Sequence, residues 1–207
     1  MNSNQTNFGK FLLLPIWGIL LIVGFWQLFN YAGTPGKAAS IQIEWPKDTE
    51  LKRGADLPTL IVFGHPRCPC STASVRELER LLPHIKNKVR SYVVFVKPKS
   101  QSDDWAKEEL WQETQKLPEI NTILDVGGLE ANRFGAKTSG QVFLYDSQGQ
   151  LAFHGGITPE RGHMGDSNGR QAILSFVQTG KTAIASAPVF GCSLNSPERA
   201  VADEEGL

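Results

Sequence analysis

Two cysteines stand two positions apart in the segment Gly64-His65-Pro66-Arg67-Cys68-Pro69-Cys70-Ser71, and a third, Cys192, lies far along the chain. A cysteine reacts as its thiolate, so its surroundings decide whether it does chemistry. The run Leu60-Ile61-Val62-Phe63 before the pair is apolar and β-branched. After the pair, Val75, Leu78, Leu81 and Leu82 recur at helical spacing over 71–82, with Pro83 as the expected stop. Cys68 is therefore expected where a buried strand turns into a helix. Unpaired N–H groups and the positive end of the helix dipole favour a thiolate there. His65 and Arg67 add positive charge. Cys70 can reach Cys68 only through a tight ring, and strained disulfides are more oxidising and more labile than relaxed ones. Thiol exchange is the natural reading.

Other readings of the pair stand beside it. Cysteine often serves as a small buried hydrophobe. Two thiolates with a third ligand from His65, His154, His163 or Cys192 suit Cu(I) or zinc, and Cys68, Cys70 and His154 form the ligand set for that alternative. Peroxide reduction is a further chemistry open to such a thiol. The segment from His154 to Arg170 is glycine-rich and includes Arg161 and His163. As structure, it is a loop whose Asp166 or Ser167 caps a following helix. As chemistry, it projects Arg161 and His163 toward Cys68, to stabilise the thiolate or to transfer protons. Cys192, in Pro188-Val189-Phe190-Gly191-Cys192-Ser193-Leu194, is expected to be buried, paired, or used as a resolving thiol or ligand. No Gly-x-x-x-x-Gly-Lys-Ser/Thr phosphate loop is present.

The elements that must position these groups alternate. Strands are predicted at 60–63 and 92–96, flanking the helix at 71–82. A helix follows at 103–117, then a loop through Asp125-Val126-Gly127-Gly128 and a short helix at 129–134. Strands at 141–145 and 151–154 are joined by the hairpin signal Asp146-Ser147-Gln148-Gly149, and a last helix covers 170–178. There are no internal repeats.

The 207 residues carry 21 Lys+Arg against 21 Asp+Glu, with 41% hydrophobic and 20% charged residues. That balance excludes a disordered, collagenous or disulfide-stapled chain, and zero net charge gives no electrostatic reason to expect nucleic acid. Residues 11–29, FLLLPIWGILLIVGFWQLF, contain no charge. The run matches a hydrocarbon core of ~30 Å at ~1.5 Å rise per residue, longer than the apolar core of a cleavable leader. Trp17 and Trp26 suit interfacial contact. The expected organisation is an N-terminal tail (1–10), a transmembrane anchor (11–29), a linker (30–40), a folded domain (41–187) and a C-terminal tail (188–207). A short N-terminus, with Lys10 its one charged side chain, before a large trailing domain predicts a single-pass signal-anchor with the domain on the extracytoplasmic side, where disulfides persist.

The segment 60–82 resembles the first strand, active-site turn and helix of thioredoxin-like proteins, and 125–155 is similar to the latter half of that fold. More narrowly, residues 64–75, Phe134-Gly135-Ala136-Lys137-Thr138-Ser139-Gly140, and Gly155-Gly156-Ile157-Thr158-Pro159-Glu160-Arg161-Gly162-His163 resemble RedB-type proteins, which are membrane-anchored and thioredoxin-like. The resemblance covers roughly 55–192. It implies an α/β thioredoxin-like fold, a central mixed sheet flanked by helices, behind one transmembrane helix. It implies thiol–disulfide exchange with protein substrates and a redox partner, and no organic cofactor. A copper-handling module or a non-catalytic scaffold on the same fold are the alternatives. Cys68, Cys70, Cys192, His65, Arg67, Arg161 and His163 are the expected site residues. Two features depart from thioredoxin: Ser71 stands where its second cysteine falls, and Gly140 lies near the position of its cis-proline. The peroxiredoxin pattern Pro-x-x-x-Thr/Ser-x-x-Cys is also missing, because Ile61 and His65 occupy its Pro and Thr/Ser positions.

Overall fold

A computed structural model of the chain describes residues 4–194; the first three residues and 195–207, which end the predicted C-terminal tail, lie outside the described residues. The chain divides into two units, Met1–Thr34 and Pro35–Leu207. The first is a single helix, α1 (Asn4–Gly33), which contains a 21-residue apolar stretch, Leu13–Gly33, long enough to cross a bilayer. Large apolar side chains such as Leu14, Trp17, Phe25, Trp26 and Phe29 are exposed along it.

The second unit is built on a sheet of order β3-β2-β1-β4-β5. Its central strand, β1 (Thr59–Gly64), is buried at every residue, as a strand covered on both faces must be. β2 (Arg90–Lys97) runs parallel to β1, and β3 (Ile120–Val126) runs parallel to β2. On the other side, β4 (Gln141–Tyr145) is antiparallel to β1, and β5 (Leu151–Gly155) is antiparallel to β4. Period-two alternation sends each strand's side chains to two cores. Leu60, Val62, Val93, Phe95, Val142 and Leu144 pack beneath α2 (Pro69–Ile85), α4 (Glu109–Gln115) and α6 (Asn168–Thr179). Ile61, Phe63, Val94, Phe143 and Tyr145 face α5 (Leu129–Phe134) on the opposite side. There Trp45 meets Phe134 and Tyr145 edge-on, with ring centroids 5.1 and 5.2 Å apart. A mixed five-stranded sheet with helices on both faces, in this order, is the thioredoxin-like fold.

Three elements differ from the sequence expectation. α2 runs past Pro83 to Ile85, because Leu81, Leu82 and Ile85 continue its buried face and hold the turn that the proline weakens. The predicted helix over 103–117 is two pieces, α3 (Asp103–Ala106) and α4, broken at Lys107-Glu108, where Glu108 adopts an extended conformation. β3 falls within a stretch whose end the sequence predicts as loop. It is an edge strand, only partly buried, and Asn121 and Thr122 interrupt its apolar pattern.

Chain ends of this unit pack on its body. Gly36 N–H donates to Val189 O (2.8 Å), Thr138 Oγ1 donates to Lys37 O (2.8 Å), and Ser40 N–H donates to Gly135 O (2.9 Å). The latter half of the predicted linker and the start of the predicted tail are thus laid against the loop after α5.

Candidate functional site

Cys68 is the N-cap residue of α2, extended at φ −106° and ψ 123°, with Pro69 in the first turn. Proline at that position costs no hydrogen bond, and its fixed φ suits helix entry. Cys68 N–H donates to His65 O (3.1 Å), closing the turn from β1, and Cys68 O accepts the N–H of Thr72 (3.1 Å). The sequence thus fixes Cys68 at the positive end of a 17-residue helix. Cys70 follows inside the first turn, and both cysteines are buried.

Cys192 arrives from the chain end. Ser139 N–H donates to Cys192 O (2.8 Å), Leu194 N–H donates to Lys137 O (3.0 Å), and Thr138 faces Ser193 in an antiparallel bridge. This pairing needs Gly191, because a Cβ there would sit 1.9 Å from Ser139 O. The result is a trio: the sulfurs of Cys68, Cys70 and Cys192 all lie within 4.8 Å of one another, and all three are thiols. The Cys70 thiol is pushed up from the usual cysteine range. Its hydrogen bond with Cys68 is the largest cause, then burial, then negative charge on Cys68 and Cys192, opposed by the Gly162 N–H. Cys70 therefore holds its proton more firmly than an ordinary thiol.

The other expected residues surround the trio in different ways. His65 is buried; its Nδ1 accepts the N–H of Arg67 (3.3 Å), and its ring meets Trp105 edge-on at 5.4 Å. Arg67 stacks on the face of Trp105 at 4.7 Å and pairs with Glu108 at 2.6 Å. Arg161 donates from Nη1 to Gly191 O, beside Cys192. That places its guanidinium on the segment carrying the third thiol. His163 is exposed, with Nδ1 2.7 Å from Arg161 O, and it is not among the clustered donors. His154 must be removed from the alternative ligand set. It pairs with Phe143 in the β4–β5 register, and residues paired across strands share a sheet face, so its side chain lies on the α5 side, away from α2.

Sequence reasoning missed several groups. Ser71 and Ser139 place their hydroxyls 2.5 Å apart, and both accept the N–H of His65, at 2.8 and 3.2 Å. Ser71, which stands where thioredoxin has its second cysteine, thus ties the turn after β1 to the segment that holds Cys192. Gly162 supplies its N–H to Cys70. Gly140, at φ +88°, brings the backbone against α2, where a Cβ would meet Ser74 Oγ at 2.6 Å. No cis peptide bond is present among the described residues. The glycines of 155–165 were the one available signal for a close-packed loop. Beside Cys68 opens a groove of about 860 Å³, bordered by Pro66, Arg76, Glu108, Leu110 and Met164.

No protein-family model and no curated protein matches this sequence. Among solved structures, the chain is similar to a hypothetical protein from Sinorhizobium meliloti 1021, at 18% identity and TM-score 0.56, covering 78% of this chain and 93% of that one. It is also similar to a conserved protein from Geobacillus kaustophilus, at 17% identity and TM-score 0.56, covering 80% and 94%. A looser likeness is to the pneumococcal exposed lipoprotein thioredoxin Etrx1 of Streptococcus pneumoniae, at 16% identity and TM-score 0.44, covering 60% and 85%. The first two likenesses concern the fold alone.

Proposed function

We propose that this protein is a membrane-anchored, RedB-type thiol–disulfide oxidoreductase that exchanges disulfides with protein substrates on the extracytoplasmic side. The observation that carries the reading is the thiol trio at the N-terminus of α2: an N-cap cysteine with two further sulfurs within 4.8 Å. Cys68 thiolate attacks one sulfur of a substrate disulfide. A mixed disulfide forms, and the other substrate sulfur leaves as a thiolate. Cys70 or Cys192, losing its proton, then attacks Cys68 Sγ. The second substrate thiol departs, the substrate is reduced by two electrons, and the protein holds one disulfide. The reverse sequence oxidises a substrate dithiol. Cys70, held protonated, is poised as a resolving thiol rather than as the first nucleophile. The helix Leu13–Gly33, apolar and exposed all round, supports anchoring, since such a surface is stable in lipid. The motif resemblance at 64–75, 134–140 and 155–163 supports the RedB-type assignment.

The test uses the full chain in detergent with a fluorescent disulfide-bonded peptide. Wild type is expected to reduce it when supplied with a dithiol, and the Cys70→Ser/Cys192→Ser double variant is expected to accumulate a peptide adduct on Cys68. Each single variant then shows which thiol resolves. An inactive wild type, together with a double variant that carries no Cys68 adduct, overturns the proposal.

A further inference from the structure

We infer that the reduced trio Cys68, Cys70 and Cys192 is a binding site for one monovalent d10 cation, Cu(I), held by three sulfurs, and that oxidation of the site expels the ion. Three observations meet here. The donors are three soft sulfurs within 4.8 Å of one another, and among the described residues no histidine or carboxylate joins the cluster. A structural zinc site takes four ligands, whereas thiolates select Cu(I), which accepts three. The third donor is positioned by construction: the Ser139–Cys192 and Lys137–Leu194 hydrogen bonds, and the contact that only Gly191 permits, fix Cys192 over the start of α2.

Charge is also provided for. A Cu(I) tris-thiolate carries two negative charges, and it would sit at the positive end of α2. The Gly162 N–H points to one sulfur, and Arg161 grips the carbonyl of Gly191, next in the chain to Cys192. Access is present as well. The groove that reaches Cys68 is bordered by Met164, whose half-exposed thioether is another soft donor.

Loading replaces thiol protons with the ion, up to three per Cu(I). Release needs an oxidant, and the one the exchange chemistry supplies is a protein disulfide. The tris-thiolate, one external disulfide and two protons give free Cu(I), one internal disulfide, one remaining thiolate and two external thiols. Any of the three internal disulfides leaves a single donor, so metal and disulfide exclude each other. The inference rests on the same thiols as the proposed exchange but not on their turnover.

The test titrates reduced full-length protein in detergent with Cu(I) against bathocuproine disulfonate, and counts sulfur neighbours by X-ray absorption. One Cu(I) with three sulfurs is expected. Cys192→Ser should leave two sulfurs and weaken binding by at least the roughly 100-fold that loss of an outer partner costs a metal site. His154→Ala should bind as wild type, and prior oxidation with glutathione disulfide should abolish binding. Absence of binding by reduced wild type, or an unchanged affinity and sulfur count in Cys192→Ser, overturns the inference. The peptide-adduct assay contains no metal, so failure there is read separately.

Discussion

Glu77 lies on the face of α2 that also carries Cys70 and Ser74, successive positions at helical spacing. Its carboxylate is fully buried, accepts the N–H of Gly165 (2.9 Å), and meets Arg80 at 2.9 Å and Arg170 Nε at 3.5 Å. Gly165 follows three residues after Gly162, whose N–H reaches Cys70, so Glu77 holds in place the loop that serves the sulfur. Removing the charge leaves Arg170, itself mostly buried, with the exposed carboxylate of Asp166 in place of a buried counter-ion. Glu77→Gln is expected to lower stability by about 2–4 kcal/mol, read from urea unfolding, and to change the alkylation rate of Cys70 in the folded protein. The Ser71–Ser139 pair calls for a different measurement, because both hydroxyls accept from His65. Ser71→Ala and Ser139→Ala should each cost about 1 kcal/mol, and the double variant should cost less than their sum, because each single change already breaks the shared bond. An additive cycle in urea unfolding would mean that the two hydroxyls act independently.

Among the elements, those whose signal is local were legible. The strand that becomes β1, the hairpin turn at Asp146–Gly149 and α5 follow from apolar runs, turn residues and flanking glycines, and α5 matches its expected bounds. Cys68 and Cys70 were legible for the same reason, since their place depends on a strand and a helix adjacent in sequence. Elements set by tertiary contact were not. β3 exists because β2 offers it a parallel edge, and the break between α3 and α4 sits where Glu108 turns to meet Arg67. The pairing of 191–194 with 137–139 joins distant segments, so nothing near Cys192 in the sequence reports its two sulfur neighbours, and spacing alone made His154 look an equal ligand. That pairing is open to a direct test. Gly191→Ala puts a methyl group where Ser139 O already stands, so the tail must shift. Mass mapping after oxidation in glutathione buffer should show the Cys68–Cys192 bond lost and the Cys68–Cys70 bond kept; both bonds persisting would mean that Cys192 is held by other contacts.

At the scale of the molecule, the edge strand β5 is joined to the chain end by main-chain bonds, with Thr182 Oγ1 also donating to Ala152 O (3.3 Å). His154 N–H donates to Ala185 O (3.0 Å), Ala187 N–H donates to His154 O (3.2 Å), and the same segment continues to Val189, Gly191 and Cys192. Burial pushes the His154 imidazole below its usual pKa of 6.5, so the folded protein resists a proton that the unfolded chain accepts. The stability this contributes is present above pH 6.5 and is lost as pH falls through the folded value. Acidification through that window should therefore loosen the β5 edge and, through it, the segment that delivers Cys192. Urea midpoints measured from pH 7.5 to 5 are expected to fall for wild type and to fall less steeply for His154→Gln, which takes up no proton. Over the same range, alkylation of Cys192 should accelerate in wild type relative to the variant after correction for thiolate fraction. Identical pH slopes in the two proteins would show that His154 does not couple the edge to the tail, and that the third thiol is held by the loop at 137–139 on its own.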